Sequence, residues 1–250
     1  AGNRHALLLS ARELVRKVVH PVLETDRGEG GLRPGVTLGL RHLGPGVEHR
    51  QLHILESGGP GQQVEALRSN KVDALCGDGP FTRSAMPFVS YSHPYFFLPA
   101  YAYARKDNKK AVSLDRLNKK DVSFTLIDGD GSAEYLQLYF PMANPLSMPS
   151  TSDPSQLVLN VVSGKADAML NDPFTFEAYR HEDKMVMKKV SEKPISIFPM
   201  LISVDKGQRD LLDMLNQGID LLNDSGILEK ILKKYDATGK NLILPQKRYY

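Results

Sequence analysis

The fold of this chain is decided by two similar stretches, Leu67-Arg-Ser-Asn-Lys-Val-Asp-Ala-Leu75 and Val161-Val-Ser-Gly-Lys-Ala-Asp-Ala-Met169. Each stretch contains the apolar end of a helix, a polar turn with a lysine, and a short apolar strand that begins near an aspartate. The two copies start 94 residues apart. That period is too long for a solenoid repeat and is typical of two similar α/β lobes. We therefore predict two lobes, each a small doubly wound sheet.

The same alternation of strands and helices extends outward from both copies. The predicted strands are 51–55, 72–76, 122–127, 166–170 and two longer extended segments near 95–103 and 195–203, and a short element of unassigned type is expected near 36–43. The predicted helices are 62–70, 133–140, 157–162 and an amphipathic pair at 210–234 that breaks at Ser225-Gly226, while 10–19 is either helix or strand. Strands separated by helices imply right-handed crossovers and a mainly parallel sheet.

Composition excludes several classes of protein. The chain has 250 residues, 41% of them hydrophobic, and a formal net charge of +3, which is typical of a folded soluble chain and not of a disordered one. A membrane-spanning helix needs roughly 20 consecutive apolar residues, and no stretch approaches that length. The single Cys76 excludes an internal disulfide and any CxxC-type zinc or redox site. A pI of 8.8 gives little support to nucleic-acid binding.

The first 80 residues differ in composition from the rest. None of the nineteen phenylalanines and tyrosines precedes Phe81, and five of the seven histidines lie in this segment. The apolar run Ala6-Leu7-Leu8-Leu9 is too short for the core of a signal peptide. We expect either a mature chain from which a signal peptide has been removed or a cytosolic chain.

Taken together, the motifs resemble the type II periplasmic solute-binding proteins, in the polar amino-acid family of ABC importers (extracellular solute-binding protein family 3). The resemblance covers about residues 62–235. Its motifs are Val64-Glu-Ala-Leu-Arg-Ser-Asn-Lys-Val-Asp-Ala74, Thr82, Val89-Ser-Tyr-Ser-His-Pro-Tyr95, Gly131-Ser132, Val162-Ser-Gly-Lys-Ala-Asp-Ala-Met169 with Asp172, and Leu221-Leu-Asn-Asp-Ser-Gly-Ile-Leu-Glu-Lys-Ile231.

The resemblance implies an α/β fold of two lobes joined by two hinge crossovers. Lobe 1 would contain residues 1–98 and 200–250, and lobe 2 would contain residues 99–199. The crossovers would lie near 94–104 and 195–204. Hinge closure around a ligand is an established motion of such proteins, and ligands of open α/β sheets bind beyond the carboxyl ends of the strands.

The first loop expected at this position follows the strand that ends near Cys76. It contains Asp78, Phe81, Thr82 and Arg83. In relatives, an aligned threonine and an arginine three residues later bind the α-carboxylate of the ligand. Ala85 stands where that arginine would be, which weighs against an α-amino-acid ligand unless Arg83 replaces it. Arg83 as a solvated surface charge is the alternative.

The second loop is Asp128-Gly-Asp130-Gly131-Ser132, which leads into a helix. Ser132 and the free amides at the helix start are suited to hold an anion. The alternative is that Ser132 or Asp130 caps the helix. The Gly-x-Gly spacing lacks the third glycine of a dinucleotide fingerprint.

The third loop is Asn171-Asp172-Pro173, after the second copy's strand. The resemblance implies that Asp172 accepts the ammonium group of the ligand, and the alternative is an N-cap for a helix that starts at Pro173. With Asp78 and either Asp128 or Asp130 nearby, a cationic or zwitterionic ligand fits better than a dianion.

Other candidate groups are weaker. Relatives place an aromatic ring from an early loop against the ligand, whereas the aligned stretch here offers only His20, so Phe81 is the candidate wall. His49 and His53 have no acidic or third ligand nearby, so we predict no metal site and no cofactor.

The resemblance implies an extracytoplasmic, periplasmic or membrane-associated binding protein that delivers a small polar solute to an ABC importer permease. We expect a monomer without catalytic activity and without nucleic-acid partners. Three alternatives remain: a cyclohexadienyl-dehydratase-like enzyme, the ligand-sensing domain of a receptor, and a divergent binder with an atypical ligand.

Overall fold

A computed structural model describes residues 37–41, 53–57, 60–78, 86–178, 186–236 and 239–246. Its strands are β1 (Thr37–Arg41), β2 (His53–Ser57), β3 (Ala74–Asp78), β4 (Val89–Tyr91), β5 (Phe96–Arg105), β6 (Ser123–Ile127), β7 (Asn144–Met148), β8 (Ala168–Asn171), β9 (Met187–Lys189) and β10 (Ser196–Asp205). Its helices are α1 (Pro60–Arg68), α2 (Leu114–Leu117), α3 (Ser132–Tyr139), α4 (Ser155–Val162), α5 (Pro173–Ala178), α6 (Arg209–Asp224) and α7 (Ile227–Tyr235).

The predicted elements that fall on these residues are confirmed, and their ends shift by at most two residues. The amphipathic pair breaks between α6 and α7 at Ser225 and Gly226, as predicted. The element predicted for 10–19 lies outside the described residues.

The described strands form one mixed sheet with the order β2-β1-β3-β10-β5-β8-β6-β7, and β4 and β9 pair with β10 and β5. The expectation of a mainly parallel sheet is wrong for this part of the chain. Only the two pairings of β6, with β7 and with β8, are parallel. The other described pairings are antiparallel: β5 and β10 run antiparallel to each other and to their neighbours, and β1 runs antiparallel to β2 and β3.

The strands β5 and β10 connect the two halves of the sheet. Residues 96–100 of β5 pair with residues 196–200 of β10, and we call this segment the crossover ladder. Beyond the ladder, β10 pairs with β3 and β4, whereas β5 pairs with β8 and β9. The extended crossovers expected near 94–104 and 195–204 are therefore present as strands.

Each half of the sheet is covered by helices on both faces. In one half, Ala74 and Cys76 of β3 pack with α6 and α7, while Leu75 packs with α1 on the opposite face. In the other half, Ala102 of β5 belongs to the layer of α2 and α3, and Tyr103 belongs to the layer of α4 and α5. Strands buried on both faces are continuously apolar, which explains the short apolar runs in the sequence.

The two repeated stretches have the same local structure. Asn70 and Gly164 occupy matching positions after α1 and α4, and both have positive φ, +54° and +77°. Two residues further on, the amides of Val72 and Ala166 donate to matching carbonyls of their helices, those of Ala66 and Asn160. A left-handed residue is a common way to end a helix, and asparagine and glycine tolerate it best. The sequence repeat is therefore also a structural repeat.

Candidate functional site

The strand β3 ends beside the crossover ladder. It runs from Ala74, which lies opposite Val204, to Asp78, which lies opposite Leu201. The ladder begins at the next residue of β10. The loop that follows Asp78 therefore starts at the edge where the two halves of the sheet meet.

The strand β8 approaches the ladder from the other half. It runs from Ala168, opposite Ala104, to Asn171, opposite Tyr101. The ladder residues of β5 end just before Tyr101. The strands of both repeated stretches therefore point their carboxyl ends at the crossover ladder, where a ligand of an open α/β sheet is expected.

The strand β6 brings a second loop to the same edge. It is parallel to β8, with Phe124 opposite Ala168 and Thr125 opposite Met169. Parallel neighbours end on the same edge of a sheet. The loop 128–132 after β6 therefore lies beside Asp172, which follows β8. The structure brings together the second and third predicted loops.

The Asp130 carboxylate turns back onto the start of α3. The Ser132 amide donates a hydrogen bond to Asp130 Oδ1 at 3.0 Å, and a left-handed Gly129 with φ +85° precedes this turn. Burial raises the pKa of the half-buried Asp130 carboxyl above its ordinary value of 3.8, and the nearby charge of Asp172 raises it further. The hydrogen bond from Ser132 opposes this rise. The two carboxylates are therefore close enough to repel each other.

The first amides of α3 are not free, which differs from the sequence-based expectation. The Ser132 amide donates to Asp130 Oδ1, the Ala133 amide to the Asp130 carbonyl at 3.5 Å, and the Glu134 amide to the Gly131 carbonyl at 3.1 Å. The chain itself supplies the acceptors that an anionic ligand would otherwise provide. The N-cap residue of α3 is Gly131, without a side-chain cap, and Asp130 instead forms a turn in which its Oδ1 accepts from the Ser132 amide.

The Ser132 hydroxyl is a buried polar group at this place. Ser132 exposes only 7% of its surface, and its Oγ atom has no hydrogen-bond partner among the described residues. The hydroxyl lies near the Asp130 carboxylate and lowers its pKa, but the pair lacks hydrogen-bond geometry. Buried hydroxyls usually have a partner, so this oxygen is available to a ligand.

Asp172 is almost fully buried and begins α5. It exposes 8% of its surface. Its carbonyl accepts from the Phe176 amide at 3.1 Å, and its own amide donates to the Asn171 side chain at 2.9 Å. Asp172 therefore occupies the N-cap position of α5, which was the alternative role considered for it from the sequence. The charge of Asp172 also raises the pKa of Asp130, in addition to the larger effect of burial.

The remaining predicted site residues belong to the first loop. Asp78 is placed by its backbone at the end of β3. Phe81, Thr82, Arg83 and the departure at Ala85 lie outside the described residues. The roles assigned to these residues stay predictions, as do the ligand roles of Asp130, Gly131, Ser132 and Asp172.

Two aromatic contacts near the site were missed by sequence reasoning. Phe174 follows Asp172 on α5 yet packs against the core cluster of β3, β10, α6 and α7. Tyr135 of α3 contacts Phe198 of the crossover ladder edge to face, with ring centroids 4.5 Å apart. The only sequence signal for either ring was its place two or three residues beyond a predicted ligand residue.

Comparison with known proteins agrees with this arrangement. Residues 51–238 match the profile of the bacterial extracellular solute-binding proteins, family 3. The chain belongs to this family. Its match to the L-cystine-binding protein TcyJ of Bacillus subtilis (strain 168) is 26% identical over 152 residues, 59% of the chain and 55% of the relative. The chain thus spans about half the length of that relative.

Solved structures of relatives have the same fold. The ancestral amino-acid-binding protein described as a precursor of cyclohexadienyl dehydratase has a TM-score of 0.55 and 26% identity, covering 69% of this chain and 72% of its own. A mutant of ArgBP from T. maritima has a TM-score of 0.61 and 21% identity, and the match covers 75% of this chain and 79% of the ArgBP chain. A histidine kinase sensor domain similar to periplasmic binding proteins has a TM-score of 0.59 and 19% identity, and the match covers 74% of this chain and 77% of the sensor domain. These likenesses confirm the predicted type II periplasmic binding protein fold.

Among the described residues, every helix is too short or too polar to cross a bilayer.

Proposed function

We propose that this chain is an extracytoplasmic solute-binding protein that captures a small polar, amino-acid-like or cationic metabolite for an ABC importer. It works as a monomer in the periplasm or at the outer face of the membrane. It carries out no chemistry, and its partner is the permease that receives the ligand. Its family and the names of its relatives support this proposal.

One observation carries the proposal. The buried Asp172 and the half-buried Asp130 follow neighbouring parallel strands beside the crossover ladder, and the charge of Asp172 raises the pKa of Asp130, which is hydrogen-bonded to the Ser132 amide. Neighbouring carboxylates are costly without a cation, because each disfavours the ionised form of the other. A cationic group of a ligand removes this cost, so binding energy comes directly from the site's own repulsion.

The crossover ladder has the features of a hinge. Pro99 of β5 lies opposite Ile197, and Pro199 of β10 lies opposite Phe97. Proline cannot donate a ladder hydrogen bond. The register of β10 against β3 also shifts just after the ladder, between Leu201 and its neighbour. We propose that residues 1–98 and 200–250 move as one lobe against residues 99–199 by bending here.

Calorimetric titration with the common amino acids and small organic amines tests this function. We expect at least one ligand to bind, and at 100 times its dissociation constant it raises the free energy of unfolding by about 2.7 kcal/mol. Asp172→Asn abolishes this binding. Asp213→Asn is the matched control, because Asp213 is an exposed aspartate on α6. The proposal would be contradicted if none of these compounds bound to the wild type, or if Asp172→Asn and Asp213→Asn lost ligand affinity to the same extent.

Small-angle X-ray scattering tests the motion. The radius of gyration falls when the ligand found by calorimetry is added, because the lobes close around it. Prephenate, incubated with the protein, stays unchanged. An unaltered radius with a bound ligand would contradict hinge closure, and product formation from prephenate would contradict the absence of catalysis.

A further inference from the structure

We infer that one edge of the sheet docks this protein onto an anionic lipid bilayer, through exposed lysines and the apolar side chains among them. The inference goes beyond the proposed function, because it concerns the surface that holds the protein and not the ligand that it carries. It follows from three features: loops that converge on Asp167, an excess of exposed lysines, and exposed apolar side chains beside them.

Three segments of the chain meet at this edge, which we call the basic edge. The strands β6 and β8 begin here, and β8 runs from here toward the crossover ladder with β6 parallel to it. The basic edge is therefore at the opposite end of these strands from the loops of Asp130 and Asp172. Its segments start at the end of β5, precede β6 and precede β8: residues 105–110, 115–121 and 164–167.

Asp167 holds the three segments together. Its carboxylate accepts from the Ser123 amide at 2.9 Å and from Lys110 Nζ at 3.2 Å. Its backbone carbonyl accepts from Asn108 Nδ2 at 3.2 Å. Lys110 Nζ also donates a hydrogen bond to the Asp121 carbonyl. The side chains that the three segments carry therefore belong to one continuous surface.

The basic edge concentrates the positive charge of the chain. Its segments contain eight basic and four acidic residues, whereas the whole chain has a formal net charge of +3. The fourth acidic residue, Asp115, is exposed, and the other three form ion pairs within the edge: Asp107 with Arg105, Asp121 with Arg116, and Asp167 with Lys110. The remainder of the chain is therefore close to neutral.

Five lysines of the basic edge are exposed to solvent. No ion pair with a described carboxylate engages any of them: Lys106, Lys109, Lys119, Lys120 and Lys165. In the other half of the sheet, α6 carries four aspartates and one arginine. This separation of charge orients the protein with its basic edge toward an anionic surface.

Exposed apolar side chains lie among these lysines. Val112, two residues after the first segment, exposes 67% of its surface, and Met142 exposes 46%. The Met142 amide donates to Asn118 Oδ1 at 2.8 Å, which places Met142 beside the second segment. Val162, two residues before the third segment, is exposed as well. Such side chains gain free energy when they enter the boundary between lipid headgroups and acyl chains.

A lipid bilayer fits this combination better than an acidic partner protein. Lysine is a flexible point charge that does not require one fixed geometry of its partner, and each lysine near anionic lipids strengthens binding by about fivefold. Surfaces that bind to membranes combine basic side chains with apolar ones. Protein interfaces are instead depleted of lysine.

Flotation with unilamellar vesicles tests the inference, with phosphatidylcholine alone as the neutral surface and its mixture with phosphatidylglycerol as the anionic one. We expect the protein to bind to the anionic vesicles only. Binding is lost in about 1 M salt, where the screening length falls to about 3 Å. Soluble polyglutamate, added without vesicles, probes the alternative of an acidic protein partner.

Two triple variants make the test specific to the basic edge. The combination of Lys119→Gln, Lys120→Gln and Lys165→Gln lowers the affinity for anionic vesicles by about 100-fold, because three of the five lysines are removed. The matched control removes the same charge from three exposed lysines of α7 and changes the affinity by less than about threefold: Lys230→Gln, Lys233→Gln and Lys234→Gln.

The apolar side chains are tested separately. Val112→Ser combined with Met142→Ser weakens vesicle binding by about tenfold, because less apolar surface leaves the water. The salt dependence of binding stays the same in this variant, since no charge is removed. Urea unfolding verifies that each variant folds.

The outcomes separate this inference from the proposed function. The inference is wrong if neutral and anionic vesicles bind the protein equally, if both triple variants lose the same affinity, or if polyglutamate binds while vesicles do not. The variants of the basic edge leave ligand affinity in calorimetry unchanged. Failure to bind vesicles therefore overturns the inference while solute binding stands, and failure to bind any solute overturns the proposed function while docking stands.

Discussion

Burial raises the pKa of Asp130, and the charge of Asp172, 42 positions further along the chain, raises it further. They meet because β6 and β8 are parallel neighbours whose carboxyl ends share one edge beside the crossover ladder. Asp130 is also held by the Ser132 amide. The turn before α3 therefore holds Asp130 at the edge of the sheet where β6 and β8 end.

Asp130→Asn stabilises the ligand-free protein at pH 7. Because the folded-state pKa of Asp130 is raised, its favourable contribution is complete below the ordinary value of 3.8 and is lost as the pH rises through the folded-state pKa. Asparagine keeps the acceptor for the Ser132 amide and removes the charge. Urea unfolding measures the difference, which should shrink toward pH 4. A destabilised variant at pH 7 would show that Asp130 acts only as a stabilising cap.

Asp167 is the opposite case, an aspartate that stabilises the fold. It accepts from the Ser123 amide at 2.9 Å and from Asn108 Nδ2 and Lys110 Nζ at 3.1 and 3.2 Å. Burial raises its pKa, but the hydrogen bonds from Ser123, Lys110 and Asn108 outweigh burial and hold it below 3.8. Asp167→Ala leaves a backbone donor without its acceptor and costs about 2 kcal/mol.

The stabilising contribution of Asp167 has a defined pH window. It is present above the unfolded-state pKa near 3.8 and is lost as the pH falls through the lower folded-state value. The stability gap between the wild type and Asp167→Ala, measured by urea unfolding from pH 7 to pH 3, should narrow only at the acidic end. A gap that narrows near neutral pH would contradict this assignment.

Gly164 is needed for the turn after α4. Its φ is +77°, and a Cβ atom there would lie 2.8 Å from Arg105 Nη1, the movable end of a long side chain. Gly164→Ala should cost about 1 to 2 kcal/mol through backbone strain. Gly164→Asn should cost less, because the matching position of the first copy carries Asn70 at φ +54°. Thermal or urea unfolding distinguishes them, and equal costs would mean that the clash with Arg105 dominates.

Phe174 links the candidate site to the opposite half of the sheet through packing. It lies two residues after Asp172 and packs against the core cluster of β3, β10, α6 and α7. Phe174→Ala should weaken ligand affinity by several-fold, because it removes apolar contact that favours the arrangement of the two halves seen here. Phe174→Leu should retain most of the affinity. Equal affinity for all three proteins would show that this contact does not contribute to binding.

The sequence predicted much of this arrangement for clear physical reasons. The repeated turns around Asn70 and Gly164 are local, so their helix ends and strands follow from a few neighbouring residues. The loops containing Asp130 and Asp172 were expected at one edge because strand ends carry ligand sites in this fold. The parallel pairing of β6 with β8 places the starts of both loops at that edge.

Other features depend on the tertiary structure and were beyond the sequence. Alternating strands and helices indicated a parallel sheet, but the pairing partners of β5 and β10 are set by contacts about 100 residues apart, such as Leu98 with Phe198. The amides at the start of α3 were expected to be free, and only the conformation of Asp130 shows that Ser132 already has an acceptor. Phe174 reaches a core assembled from distant segments.

The pH dependence of ligand affinity tests the central claim most directly, that Asp130 and Asp172 bind a cation together. The dissociation constant of the tightest ligand, measured by calorimetry from pH 8 to pH 4, should rise as the pH falls. Protonation of Asp130, whose pKa is raised, removes half of the binding charge. Asp130→Asn should bind weakly with a flatter profile. An affinity that strengthens with acid, or the same profile in both proteins, would contradict the account.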